Sequence, residues 1–245
     1  SALASSMDEM QNNGPSLPRV SVVFFTYRRI AILEESLSAL LKTVEYPRDR
    51  LERIVADDCS PKDVRKRLNR LPVDRLVVAR RNEGLGANQN RGIRAASGDF
   101  ILHLQDDWKC VGSGDFLRKS LNILEVRPDV QIVRLTPARE ELVSGTEASK
   151  AGTLVRYFGH TGTNFKDAGS YSYSDQPHIK RRSLHEDLGW YSAGLTMPAT
   201  ELEFCQRFAA LGPGAAVYVK GQEPFVHTGE RDSFNPSVLR ARQVE

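Results

Sequence analysis

The sequence predicts an α/β protein: a single domain with a mostly parallel, Rossmann-like central sheet flanked by helices. Three observations carry this. Over residues 19–108, short apolar runs rich in β-branched residues alternate with helix-period segments, the β-α-β-α-β-α-β order of a covered parallel sheet. Two of those runs end abruptly in paired aspartates, Asp57-Asp58 and Asp106-Asp107. A length of 245 residues is ample for one large core.

Each element has a local reason. Residues 19–25 (Arg-Val-Ser-Val-Val-Phe-Phe) read as a strand buried on both faces. Ile30, Leu33, Leu37, Leu40 and Leu41 recur at helical spacing, and Tyr46-Pro47 closes that helix. Leu51 to Ala56 is a second strand. Ser60-Pro61-Lys62-Asp63 then opens a helix, with Ser at the cap and Pro in the first turn. Leu76 to Ala79 is a third strand, Glu83 to Ala96 a glycine-led helix and Phe100 to Leu104 a fourth strand. Beyond Trp108 come an amphipathic helix at 115–126, a strand at 130–135, a helix opened by Thr200-Glu-Leu-Glu203 and a last strand at 215–219. Residues 137–176, rich in Gly, Ser, Thr and Tyr, read as binding loops or a lid.

Three parts follow. Polar residues 1–18, with Gly14, Pro15 and Pro18, read as an expression remnant and flexible lead-in. Residues 19–108 form a ligand-binding half, and residues 109–245 supply the partner site and catalysis.

Composition excludes several classes. With 34 basic against 31 acidic side chains, the charge balance is too even to argue for nucleic acid. Three scattered cysteines, Cys59, Cys110 and Cys205, fit a reducing compartment rather than a disulfide framework. No apolar run approaches the roughly 18–20 residues that span a bilayer. The expectation is a cytoplasmic protein, with peripheral contact to the inner membrane face left open. There is no GxxxxGK[ST] loop, and the first β-to-α turn, Thr26-Tyr27-Arg28-Arg29, has no glycine for a dinucleotide pyrophosphate.

The paired aspartates are the chemical signal. Adjacent carboxylates repel, so a fold that keeps them together commonly uses them for a cation, a proton or a polar ligand. They also stand at the carboxyl ends of strands, where open α/β sheets bind ligands. A solvated turn is the competing reading for either pair alone.

Taken in order, four motifs resemble the nucleotide-sugar half of an inverting, GT-A-fold glycosyltransferase of the family-2 type. They are residues 20–29, ending Thr-Tyr-Arg-Arg; Ile54-Val-Ala-Asp-Asp-Cys-Ser60; Arg81-Asn82-x-Gly84-x-Gly86-Ala87-x-x-Asn90-x-Gly92; and Leu104-Gln-Asp-Asp107. Order and spacing agree over residues 19–108, and the match thins beyond 109. Departures are Phe25 and Arg28, where the family usually has Pro and Asn, and Gln105 at the first position of the DxD-type motif; Ile54 to Ser60 resembles the family's Val-Asp-Asp-Gly-Ser strand end.

The resemblance implies a donor nucleoside diphosphate sugar, a UDP-sugar by first expectation, and a hydroxyl-bearing acceptor such as a glycan, a lipid-linked sugar or a small molecule. It places Phe25, Thr26 and Tyr27 at the base, Asp58 on the uracil imide, Gly86 and Asn90 near the donor, and Asp106 at the ribose or first phosphate. Asp107 would hold Mn²⁺ or Mg²⁺. His227, in Phe225-Val-His227-Thr-Gly229, is implied as a second ligand, or is a structural histidine. Asp187, with Glu186 as understudy, is implied as the base that deprotonates the acceptor; both acids would equally complement a helix N-terminus. Trp108 and Trp190 would face a sugar ring or anchor the core. A sugar-phosphate nucleotidyltransferase and a non-catalytic nucleotide-binding module are the alternatives.

Overall fold

The computed structural model describes residues 17–136, 143–148, 154–158, 166–212, 214–218 and 222–229. Most of the expected lead-in, much of the 137–176 stretch and the tail beyond 229 lie outside these residues.

The first half folds as its patterning requires. Strand β1 (Val20–Thr26) leads to helix α1 (Ile30–Thr43), β2 (Leu51–Asp57) to α2 (Lys62–Leu68), and β3 (Arg75–Val78) to α3 (Leu85–Ala95). Strand β4 (Phe100–Gln105) is followed by a short β5 (Trp108–Cys110), α4 (Phe116–Val126) and β6 (Val130–Arg134). Further on lie β7 (Val143–Ala148), β8 (Leu154–Phe158), β9 (His178–Arg181), α5 (Leu184–Leu188), α6 (Met197–Leu211), β10 (Gly214–Tyr218) and β11 (Phe225–His227).

Among the described residues, nine strands form one sheet in the order β3-β2-β1-β4-β9-β6-β10-β8-β7. Only β9 and β8 run against the rest, so the sheet is mostly parallel in direction, as the sequence predicts. The register sets the strand ends level: Thr26 pairs with Asp57, and Phe25 with Gln105. The carboxyl ends of β1, β2 and β4 therefore form one rim with β1 at its centre.

Helices cover both faces, which explains why β1 is predominantly apolar rather than alternating. Val20, Val22 and Phe24 pack on the side of α1 and α4, with Leu33, Leu37, Leu40, Leu117 and Leu124. Val23 and Phe25 pack on the other side with Ile93 of α3 and Phe204 and Phe208 of α6. Each large apolar side chain so buried contributes about 1.5–3 kcal/mol relative to exposure.

Three features escape local patterning. Strand β9 lies between β4 and β6, antiparallel to both. Strands β5 and β11 form a separate two-stranded ribbon that sets His227 opposite Trp108. Helix α6 starts at Met197 rather than Thr200, because Pro198 supplies a preset first-turn φ and Thr196 stands at the N-cap.

Candidate active site

The rim collects its polar groups from three strand ends. At the end of β4 the two aspartates behave differently despite being neighbours. Asp106 is 1% exposed and accepts a hydrogen bond from Thr26 Oγ1 at 2.7 Å and another from the Arg29 guanidinium. Burial raises its pKa to about 6, with Arg29 opposing the rise. Burial also pushes Asp107 upward, but His227 and Arg29 outweigh it and hold this carboxyl below its ordinary value. One oxygen of Asp107, Oδ2, lies 2.9 Å from Arg29 and 3.3 Å from His227 Nε2. The other, Oδ1, is buried and has no hydrogen-bond partner among the described residues.

The β5–β11 ribbon makes this possible. Thr228 N–H donates to the Asp107 carbonyl at 2.8 Å. Gly229 lies so close that a Cβ there would come within 2.3 Å of Asp107 Oδ2. Trp108 is 8% exposed, with its ring centroid 5.0 Å from that of His227. It anchors the ribbon and has no open face for a sugar.

An unpaired carboxylate oxygen beside an imidazole suits a hard or borderline divalent cation. Among the described residues, no three His, Cys, Asp or Glu side chains could hold a metal by themselves. Asp107 and His227 therefore supply two ligands at most, and a bound cation would need phosphate and water for the rest.

At the end of β2, Asp57 is fully buried and takes the Ser60 N–H at 2.8 Å and the Ser60 hydroxyl. Asp58 accepts the backbone N–H groups of Glu83 at 3.0 Å and Gly84 at 2.8 Å. It thus staples the loop before α3 to the rim. Tyr27 is half-buried, with the Arg28 guanidinium 4.9 Å over its ring. Phe25 is 3% exposed and packs on His103, so it supports the rim from below rather than lining a base pocket.

Arg28 and Cys59 have φ of 67° and 66°. These are the positions where the family usually carries Asn and Gly, the residues that tolerate left-handed backbone. Replacing Cys59 with Gly should therefore stabilise the fold by about 1 kcal/mol, after allowing for glycine's extra freedom when unfolded. The urea midpoint measures this, and an unchanged or lower midpoint would count against strain at Cys59.

Gly86 and Asn90 clamp a crossing segment onto α3. Asn90 donates to the Tyr191 carbonyl at 2.8 Å and accepts the Tyr191 N–H at 2.9 Å, as a strand neighbour would. A Cβ on Gly86 would come within 2.3 Å of the Ser192 carbonyl oxygen. Gly86→Ala should accordingly destabilise the chain by about 2 kcal/mol through overpacking. Thermal or urea unfolding showing no loss would rule out that close approach.

The fold does not bring Glu186 and Asp187 to the aspartates of β4. Strand β9 descends antiparallel to β4, so Arg181 pairs with Phe100 and the Arg182 N–H bonds the Asp99 carbonyl at the opposite edge of the sheet. Five residues of strand put that edge roughly 17 Å from Gln105. Both acids are exposed on the short α5 that follows. The expectation for Asp187 is corrected by this reversal of direction, which sequence periodicity does not reveal. Trp190 is likewise no sugar platform. Its ring is stacked on His185, with centroids 5.3 Å apart, and the Arg94 guanidinium lies 4.2 Å from it.

Sequence reasoning missed Glu201. It stands in the first half of α6, where the Thr200 methyl lies 3.2 Å from a Cβ built on Gly86, beside the start of α3. Its Oε1 accepts the Asp175 N–H at 3.0 Å and the Ser174 hydroxyl at 3.1 Å. Its Oε2 makes no hydrogen bond among the described residues. The signal was present as Thr200-Glu-Leu-Glu203, whose capping-box spacing drew the reading towards helix initiation. Arg29 was also missed as the cation on both aspartates.

A family model described as Glycosyl transferase family 2 matches residues 21–189. The uncharacterized glycosyltransferase YwdF of Bacillus subtilis (strain 168) is 28% identical over 182 residues, covering 71% of this chain and 62% of YwdF. The crystal structure of S. aureus TarS 1–349 aligns with a TM-score of 0.61 and 18% identity, covering 92% of this chain and 64% of its own. It has also been solved with UDP and with UDP-GlcNAc. The mannosyltransferase PcManGT from Pyrobaculum calidifontis, in complex with GDP-Man and Mn²⁺, aligns with a TM-score of 0.57 and 19% identity, over 90% of this chain and 66% of its own. This chain thus spans a little under two thirds of these relatives' lengths. The structural likenesses show the shared GT-A fold. With the family model covering well over half of its residues, on the strands and turns that build the rim, the chain belongs to glycosyl transferase family 2.

Proposed function

We propose that this chain is an inverting glycosyltransferase that moves a sugar from a UDP-sugar onto a hydroxyl acceptor, with Mn²⁺ or Mg²⁺ at the rim. The observation that carries the reading is the buried, unpartnered Oδ1 of Asp107 beside His227. In this reading Asp107 and His227 hold the cation. When bound, the cation screens the charge that develops on the diphosphate leaving group.

The chain's own residues do the rest. Asp106, fixed by Thr26 and Arg29, meets the ribose or first phosphate. Tyr27 offers a flat face to the base. A carboxylate has about four acceptor sites, so Asp58 keeps capacity for an imide N–H after binding two backbone amides. Glu201, rather than Asp187, takes the acceptor's hydroxyl proton, because inversion needs a carboxylate base at the acceptor, opposite the leaving diphosphate, and α5 is turned away from the rim. Among the described residues, no helix is long and apolar enough to cross a membrane.

A thermal-shift series with UDP, UDP-N-acetylglucosamine and GDP-mannose, each with and without Mn²⁺, tests this. UDP compounds with Mn²⁺ should raise the unfolding temperature, since saturation at 100 Kd stabilises by about 2.7 kcal/mol. No shift with any nucleotide would end the proposal, and a shift with GDP-mannose alone would reassign the donor.

A further inference from the structure

Behind Glu201 lies a buried polar chain that the transfer reaction does not itself require. Tyr173 OH donates to Asp175 Oδ1 at 2.9 Å, and the Tyr173 and Tyr191 hydroxyls are hydrogen-bonded to each other. Each hydroxyl has one proton. With Tyr173's given to Asp175, Tyr191 must be the donor between the two. Lys180 Nζ in turn donates to Tyr191 OH at 3.0 Å. The chain therefore runs in one direction, from a buried ammonium through two phenols to a buried carboxyl. Gln89 Nε2 closes the other Asp175 oxygen at 2.9 Å.

We propose that Asp175 is a positioning residue for Glu201, which it fixes through its backbone N–H and whose charge environment it sets through a carboxyl wired to Lys180. This rests on the assignment of Glu201 as the acceptor's base. Both carboxyl groups lie on the α3–α6 side of the sheet, and Asp175 is only 2% exposed. Burial, and then the charge of Glu201, lift the Asp175 pKa well above the usual carboxylate range, while Lys180 pulls it down. Burial lowers Lys180, with Asp175 opposing.

The other groups around this pair hold their charge state near neutrality. His103 on β4, His178 on β9 and His185 on α5 are kept neutral by burial. Burial also pushes the Cys205 thiol up, so it stays protonated. Arg134 on β6 remains a cation, although burial lowers it to about 10. Among the described residues around this pair, Asp175 and Lys180 are thus the groups whose shifts bring them towards neutral pH.

The test follows the side-chain carboxyl carbons of Glu201 and Asp175 by ¹³C NMR from pH 4 to 9 in the intact chain. In the parent, the Glu201 resonance should show a second inflection at the pH where Asp175 titrates. Asp175→Asn should remove that inflection. Lys180→Met should move it to higher pH, because the nearby cation is lost. Should Asp175→Asn fail to fold, Tyr173→Phe removes only the hydroxyl that donates to Asp175 and should also move the inflection upward. A Glu201 curve identical in the parent and Asp175→Asn would overturn the inference, as would an inflection unmoved in Lys180→Met. Turnover of Glu201→Gln separates this from the parent reading. Retained activity with the coupling present removes Glu201 as base and leaves the carboxyl pair standing. Lost activity with no coupling removes only the role of Asp175.

Discussion

Replacing Asp107 with alanine is expected to lower turnover of a UDP-sugar by about a thousandfold and to erase its dependence on Mn²⁺. The magnitude follows from the few kcal/mol that a cation contributes to a departing diphosphate, at 1.36 kcal/mol per tenfold in rate. The residue-level reason is that, among the described residues, Asp107 is the only rim carboxylate with a buried oxygen lacking a partner. Asp106 has both oxygens engaged by Thr26 and Arg29, so Asp106→Asn should weaken donor binding without abolishing the Mn²⁺ response. Asp107→Asn serves as the isosteric control, since it keeps the shape that Gly229 packs against. A Mn²⁺ titration of initial rates makes the comparison. An Asp107→Ala enzyme with the parent's Mn²⁺ response would remove the metal from this residue.

The second large effect concerns the base. Glu201→Gln should reduce kcat by about a thousandfold with the donor KM nearly unchanged, the pattern of a group acting only as the proton moves. Asp187→Asn, on exposed α5, should stay within about twofold of the parent, as surface changes away from such features usually do. Steady-state kinetics on both variants discriminate sharply. Loss of activity in Asp187→Asn with retention in Glu201→Gln would reverse the assignment and require α5 to reach the rim by a movement absent from this structure.

The legibility of the fold was uneven for identifiable reasons. Strands β1, β2 and β4 declare themselves because each is a predominantly apolar run bounded by turn residues, and both of their faces are buried. Strands β5 and β11 have three residues each, too few to show any period, yet their pairing carries His227 to Asp107. The spacing marks Asn90 and Gly86 as special, and only the approach of Tyr191 and Ser192 shows which backbone they meet. Glu201 was hidden by a capping pattern that the helix does not use, since Pro198 and Thr196 open α6 three residues earlier.

By itself the sequence determined the alternation of strand and helix and the two aspartate pairs at strand ends, because these depend on neighbours a few residues apart. Tertiary structure alone decided which acids share a rim. His227 meets Asp107 across 120 residues, and Asn90 meets Tyr191 across 101. Contacts at that separation are set by the direction in which each strand enters the sheet. The antiparallel course of β9 sends Asp187 to the far edge, and that direction leaves no mark on local periodicity.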